Sequence, residues 1–303
     1  MSEAIKNRYE VVYLFEVLDG NPNGDPDFDN RPRTDPATGN GLITDGCLKR
    51  KVRDYLDIVG EQIFFRNGVV LNRQIEGAFD TLKKDTAKKD RSAAAKASLV
   101  KAYFDIRTFG GVLSTGKDTT NRAGQVQGPV QVGFARSVSP VEVLTHTITR
   151  KSVTSEKEAE KQIADHGSIQ GTMGRKYTIP YGLYRSLWTV TPARARHTGF
   201  SREDFAKLLS ALVNMWDLDR SSGRGLISPR VIQVFEHECP KDSDFALGCA
   251  SLAAISDRVK VTQANDHEPR SFDDYRVTID TAKLPNGLKI YDVLAGEGAH
   301  LLQ

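Results

Sequence analysis

At 303 residues, with 39% hydrophobic and 27% charged content, the chain has the composition of an ordinary globular protein of one elaborated domain or two. It holds no apolar run that could span a bilayer, no basic-then-apolar leader, and only three scattered cysteines, Cys47, Cys239 and Cys249. These exclude a membrane span and a disulfide framework, and they imply a reducing, cytoplasmic compartment.

The net charge of +3 conceals an asymmetry: residues 1–43 carry −4, residues 44–200 carry +11 and residues 201–303 carry −4. A basic middle between acidic ends is what a surface that tracks a phosphate backbone leaves in a sequence. The alternative is that the Lys and Arg residues solubilise exposed helices.

In chain order, RYEVVYLFEVL (8–18) predicts a strand. Tyr9, Val11, Tyr13, Phe15 and Val17 commit one face to a core, and Val12 and Leu14 on the other face make the strand central. Residues 19–41 are turn formers with almost no apolar content and predict a long loop. A helix follows, capped by Thr44 or Asp45, with Leu48, Val52, Tyr55, Leu56 and Val59 as its buried stripe. Residues 61–104 are basic and, from Ser92, Ala-rich, and they predict an insertion that ends in a helix.

Residues 128–150 show period-two runs broken by Pro129 and Pro140, as strands do. Residues 155–163 predict a charged helix with a Ser155/Glu158 capping box. The Gly-rich link HGSIQGTMG then leads into the strand candidate RKYTIPYGLYRSLWTV. Residues 201–218 predict the clearest helix, capped by Ser201, with Phe205, Leu208, Leu209, Leu212 and Trp216 in one stripe. A strand at 229–238 follows. The mixed C-terminal region ends in a predicted hairpin turning at Pro285-Asn286-Gly287. Without the insertions the order is strand, helix, strand, strand, helix, strand. That is an α+β, split-βαβ, ferredoxin-like plan, shared with RNA-recognition modules.

Most catalytic and cofactor signatures fail on inspection. GVLSTGKD (111–118) fits G-x-x-x-x-G-K, but Asp118 stands where a nucleotide-binding loop needs Ser or Thr, so Lys117 is expected to be inert toward ATP. Asp25, Asp27 and Asp29 alternate like calcium ligands, yet Asn30 and Pro36 occupy the required Gly and Glu positions. His237-Glu238 lacks the second His of a zinc-protease helix. No cofactor, metal or catalytic residue is expected.

Basic elements carry more. Lys49 and Arg53 lie four apart on one helix face with Arg50 beside them. Asp54 and Asp57 are at pairing distance for Arg50 and Arg53, whereas Lys49 and Lys51 have no acidic mate at that spacing. Arg175-Lys176 after the Gly-rich link, Arg194 and Arg196 in TPARARHTG, and Arg224 between two glycines are placed to meet phosphates. No RNP1 aromatic motif is present, so base stacking on the sheet is not predicted.

Several strings occur together: GNPNGDPDFDNRPRTDPATGNGLITDGCLKRKVRDYL, DIRTFGGVL, GPVQVGFARSVSPV, MGRKYTIPYGLYR, and NMWDLDRSSGRG with a following VFEH. In this order they resemble the RNA-backbone subunit of type I CRISPR Cascade, nearest to the subtype I-C (Dvulg) branch. The resemblance runs from about residue 8 to 238 and is less distinct beyond. It implies a ferredoxin-like palm (1–60, 109–143 and 181–303) with an inserted fingers region (61–108) and a thumb (144–180). Copies of the chain would polymerise along a CRISPR guide RNA, beside other Cascade subunits, and present guide bases to target DNA.

On that resemblance the expected RNA-contacting set is Asn21, Asn23, Lys49, Arg50, Arg53, Gln131, Arg136, Arg175, Lys176, Arg194, Arg196 and Arg224, on a non-enzymatic scaffold. The alternative is a metal-independent RNA endonuclease, because relatives on the same palm cut RNA.

Overall fold

A computed structural model describes residues 3–82, 88–114, 122–238 and 247–302. The first half contains β1 (Arg8–Gly20), the ribbon β2 (Gly24–Asp25) and β3 (Arg31–Pro32), β4 (Asn40–Ile43) and α1 (Asp45–Ile58). After these come α2 (Leu71–Asp80), α3 (Lys88–Ala102), α4 (Phe104–Phe109), and a second ribbon of β5 (Gly110–Val112) and β6 (Gln125–Gln127). The chain continues with β7 (Val130–Val132), β8 (Ala135–Pro140), β9 (Leu144–Arg150), α5 (Glu156–His166) and β10 (Thr172–Val190). It closes with α6 (Pro192–Thr198), α7 (Arg202–Leu218), β11 (Leu226–His237), α8 (Leu252–Arg258), β12 (Val259–Gln263), β13 (Tyr275–Ile279) and β14 (Leu288–Asp292).

The main sheet runs β14-β11-β1-β10-β8-β4 with antiparallel neighbours. Val11 of β1 sits opposite Trp188 of β10 and Val234 of β11. The alternation of β1 divides its side chains between two cores. Tyr9, Val11, Tyr13, Phe15 and Val17 pack with the stripes of α1 and α7. Tyr13 donates to the Leu212 carbonyl (2.9 Å) and accepts from the Trp216 indole (2.7 Å), so its buried hydroxyl is satisfied both ways.

The opposite face is sealed by the C-terminal region. Val12 packs with Phe235, Ile255, Val259 and Leu288, and Leu14 with Tyr181, Leu183, Val231 and Tyr275. The face of β1 opposite α1 and α7 is therefore covered by protein rather than open to solvent.

The inserted region has its own core of Phe64, Ile75, Phe79, Ala95, Leu99 and Ile106. Leu113, Ala123 and Val126 complete that core, so the packing unit extends beyond residue 108. The Asp105 carboxylate joins it to α1: fully buried, it accepts from the amides of Phe64 (2.8 Å) and Phe65 (3.1 Å) and from Arg53 Nε (2.9 Å).

Several expectations need correction. The C-terminal hairpin does not form: β13 pairs with β12, whereas β14 leaves it and adds to the main sheet beside β11. Leu288 and Ile290 of β14 pack in the Val12 cluster, whereas Tyr275 of β13 packs with Leu14 and Val277 touches both clusters. Residues 19–41 are not one unbroken loop. Their polar side chains fold the ribbon β2–β3, held by an Arg33–Asp25 pair at 3.0 Å, and β4 begins at Asn40.

Part of the Gly-rich link lies within β10, where Gly174 pairs opposite Ile148. TPARARHTG forms α6, with Pro192 at its first turn and Gly199 left-handed (φ 74°) at its end, rather than a Gly loop. The α5 capping box closes only by half: Ser155 accepts from the Glu158 amide, but the Glu158 carboxylate turns to the Thr154 amide and hydroxyl. Val59 is exposed just past the end of α1. Residues 115–121, including Gly116, Lys117 and Asp118 of the Walker-like string, and Cys239 lie outside the described residues.

Candidate nucleic-acid interface

Four of the expected contact residues and their partners gather where α1 begins. Thr44 accepts from the Cys47 amide as the cap of α1, and Asn23 Oδ1 accepts in turn from the Thr44 amide (3.0 Å) and hydroxyl (3.1 Å). Asn21 Nδ2 donates to the Asn30 carbonyl at 2.6 Å. Arg224 folds inward, with Nη1 on the carbonyls of Asn21 (3.1 Å) and Pro22 and Nε on Asp219 (3.0 Å). Lys49 Nζ pairs with Asp45 at 2.9 Å. The 223–225 turn lies so close to the end of β1 that a Cβ on Gly20 would fall 2.0 Å from the Arg224 carbonyl oxygen. Glycine is required there by close approach.

The expectation that Lys49 and Lys51 lack acidic partners is overturned. Lys49 pairs backward with Asp45, and Lys51 reaches across to Asp219 at 2.8 Å. Arg50 pairs with Asp54 (2.7 Å) and also caps the Phe65 carbonyl (2.9 Å). Arg53 turns from Asp57 to Asp105, and its guanidinium lies over the rings of Phe65 (5.1 Å) and Phe109 (5.3 Å). The α1 cations are thus held in fixed geometry by acidic neighbours, which pre-organises them and lowers their net charge.

Along the other edge, Arg136 of β8 is more than half exposed and pairs with Asp35 at 2.7 Å. The Arg136 guanidinium and the Ala37 amide hold the Asp35 carboxyl below the usual carboxylate range. Gln131 of β7 donates to the Gly128 carbonyl at 3.0 Å. Arg175 and Lys176 stand on the β9–β10 hairpin, opposite Thr147 and His146, with no ion-pair partner among the described residues. The base of that hairpin is clamped to the 19–41 segment: Tyr177 donates to Asp29 at 2.7 Å, and Arg31 lies over the Tyr177 ring at 4.9 Å.

Beyond this base the hairpin projects. Nothing in α5 is buried, β9 is exposed from Thr145 onward, and Ile148, Ile163, Ile169 and Met173 present apolar side chains to solvent. Arg194 and Arg196 sit apart from the α1 group, on α6. Arg196 is exposed, and Arg194 lines a cleft of about 1040 Å³ between α3, β6, α6 and the start of α7. Lys96, Lys101 and His197 share that cleft. Sequence spacing gave no sign of them, because they come together only across two helices, α3 and α6, about 100 residues apart in the chain. Asp105 and Asp219, which hold the α1 cations, were equally invisible, at 52 and 168 residues from their partners.

Among the described residues no three His, Cys, Asp or Glu side chains converge as metal ligands would. No helix among them is long and apolar enough to cross a membrane. Fold and site together define a mixed α/β protein built on a central antiparallel sheet, with an inserted helical unit and a projecting hairpin that bears cations.

The sequence profile of the CRISPR-associated protein Cas7 family matches residues 7–280, and the chain belongs to that family. A CRISPR-associated protein Cas7 of Haloferax volcanii is 31% identical over 221 residues, 67% of this chain. The match spans 62% of the length of that curated relative. A chain of a CRISPR RNA-guided surveillance complex in a pre-nicking state aligns over 78% of this chain and 80% of its own, with 16% identity and a TM-score of 0.48. A second surveillance-complex chain aligns over 78% and 72%, with 16% identity and a TM-score of 0.43.

Proposed function

We propose that this chain is a non-catalytic backbone subunit of a CRISPR RNA-guided surveillance complex of the I-C branch. Copies of it bind a guide RNA through phosphates, assemble side by side along it and leave its bases to pair with target DNA. Family membership supports the class of complex. The observation that carries the mechanism is the projecting hairpin, which bears Arg175 and Lys176 and four exposed apolar side chains that its own packing does not use. Such a surface suits contact with a neighbouring copy and its RNA.

We read the order β11-β1-β10-β8, with α1 and α7 packed on one face, as the ferredoxin-like palm. Residues 61–108, with Leu113, Ala123 and Val126 joined to their core, serve as fingers and 144–180 as thumb in this reading. The α1 group with Asn21, Asn23 and Arg224 forms the floor along which the guide backbone runs.

One histidine counts against an RNA endonuclease: His237 is sealed in the core against Glu10 and accepts from the Cys249 amide, and a general base needs reach to its substrate. His146 is exposed opposite Lys176 and bonds Thr178 at 2.9 Å, so it is the histidine to substitute in the test. Purification from a host expressing a CRISPR array is the test. The expected result is co-purified guide RNA, protected in lengths that step by a constant unit. Metal-independent cleavage of repeat RNA, abolished by a His substitution, would overturn the reading in favour of the endonuclease.

A further inference from the structure

The cleft between α3, β6, α6 and the start of α7 is separated from the α1 group by α4. One side of that helix gives Asp105 to Arg53 of α1, and the other gives Arg107 to Asp204 of α7. Five cationic side chains line the cleft against two carboxylates. The carboxylates are engaged: Asp204 caps α7 through Ser201 and takes both Nε (2.9 Å) and Nη2 (2.7 Å) of Arg107, and Glu203 has a partner of its own. Arg107 is an internal strut, its Nη1 closing the end of α3 on the Val100 and Lys101 carbonyls. Lys207 is held by Glu61 at 2.6 Å.

What remains is Lys96, Lys101 and Arg194, with no ion-pair partner among the described residues, beside His197 and the amides of Gln125 and Gln127. Ala93 and Ala97, one turn apart on α3, leave the space open where larger side chains would fill it.

We infer that this cleft is a second polyanion site, which takes a single-stranded nucleic acid segment by its phosphates while another strand lies on the α1 face. Three uncompensated cations spread over two helices suit a chain of phosphates rather than one small anion. The volume of about 1040 Å³, at the top of the range for small-ligand pockets, also suits a polymer segment. The apolar lining is limited to Ala93, Ala97, Val100 and Val126, without the aromatic or larger aliphatic anchor that a docked protein segment uses. The cleft itself goes beyond the guide-RNA reading; only the first strand, on the α1 face, rests on that reading.

The test uses the full-length protein saturated with unlabelled RNA, to which a fluorescein-labelled decamer of oligodeoxythymidylate is added. The expected result is a second binding event, weakened about tenfold or more at moderate salt in Lys96→Ala/Lys101→Ala/Arg194→Ala. Its salt slope should fall by about 2, at about 0.7 per lost single-strand phosphate contact. Arg194→Glu alone, with an unchanged melting temperature, should weaken binding as well. An oligonucleotide that fails to bind, or binds the triple variant as it binds the parent, overturns the inference. So does a poly-glutamate peptide that binds at the cleft while the oligonucleotide does not. Loss of the first RNA event with the second intact would count against the α1 reading alone.

Discussion

Arg53 shows how a residue chosen for RNA contact can also hold the fold. Its Nε donates to an Asp105 carboxylate that is 0% exposed. Removing the guanidinium leaves a buried charge with only two amide donors, a defect of about 3–5 kcal/mol. Lys49, paired with a more exposed Asp45, belongs to the class of pairs worth about 0–1 kcal/mol. Urea denaturation should therefore show Arg53→Ala strongly destabilised and Lys49→Ala close to the parent. If both variants unfold at the parental midpoint, Arg53 is free for RNA and the strut reading fails. Loss of RNA binding in Arg53→Ala by itself cannot be assigned to a phosphate contact, so Lys49→Ala is the cleaner probe of the α1 face. Asn23 is similar in kind: it supports the Thr44 cap, and Asn23→Ala should cost about 1 kcal/mol through loss of two hydrogen bonds.

At the scale of elements, three strands share one carboxylate. Glu236 of β11 accepts from Tyr9 of β1 (2.9 Å), Asn7 (2.8 Å) and Tyr291 of β14 (3.2 Å). Burial alone would raise its pKa, but the donors from Asn7, Tyr9 and Tyr291 outweigh it and hold the carboxyl below the usual range. A depressed carboxyl stabilises the fold above its unfolded pKa, and that contribution disappears as pH falls through the folded value. Glu236→Gln should thus be less stable than the parent at neutral pH, with the gap closing as pH drops through the acidic carboxylate range. A gap independent of pH would show that only shape, not charge, matters there.

The hairpin is the second element-scale case. Deleting 152–174 and closing with a short Gly-Ser link removes α5, none of whose residues is buried, and leaves the sheet pairing of β10 from Tyr181 onward intact. The melting transition should survive and cooperative assembly on RNA should be lost. A folded deletion variant that still coats RNA like the parent would remove the thumb from the proposal.

The whole molecule carries its net +11 in the middle segment and −4 on each side. Ion pairing cancels much of that charge locally, on α1 above all. Among the described residues, the cations without an ion-pair partner include Arg175 and Lys176 on the hairpin and Lys96, Lys101 and Arg194 in the α3–α6 cleft. RNA binding should accordingly weaken with salt and ignore base sequence. Arg175→Ala/Lys176→Ala should lower the log–log salt slope by about 1.4, at about 0.7 for each phosphate contact. Equal affinity of this double variant and the parent across a salt titration would rule the hairpin out as a phosphate-contacting surface.

The sequence by itself determined what local periodicity and capping chemistry control. It determined β1 with both faces apolar, α1 from Thr44, α7 with its Ser201 cap and buried stripe, and the family to which these strings belong. Each of these signals lies within a few turns of chain. The tertiary structure alone decided what depends on distant segments meeting. It set β14 beside β11 instead of β13, where Leu288 packs with Val12 and Phe235. It placed the C-terminal segment over the sheet face that Val12 and Leu14 would otherwise expose. It also decided which cations are spent and which are free. Lys51 finds Asp219 and Arg53 finds Asp105 across the fold, while Lys96 and Arg194 meet no carboxylate among the described residues. Charge is written residue by residue, but its compensation is a matter of distances between segments, and only folding sets those.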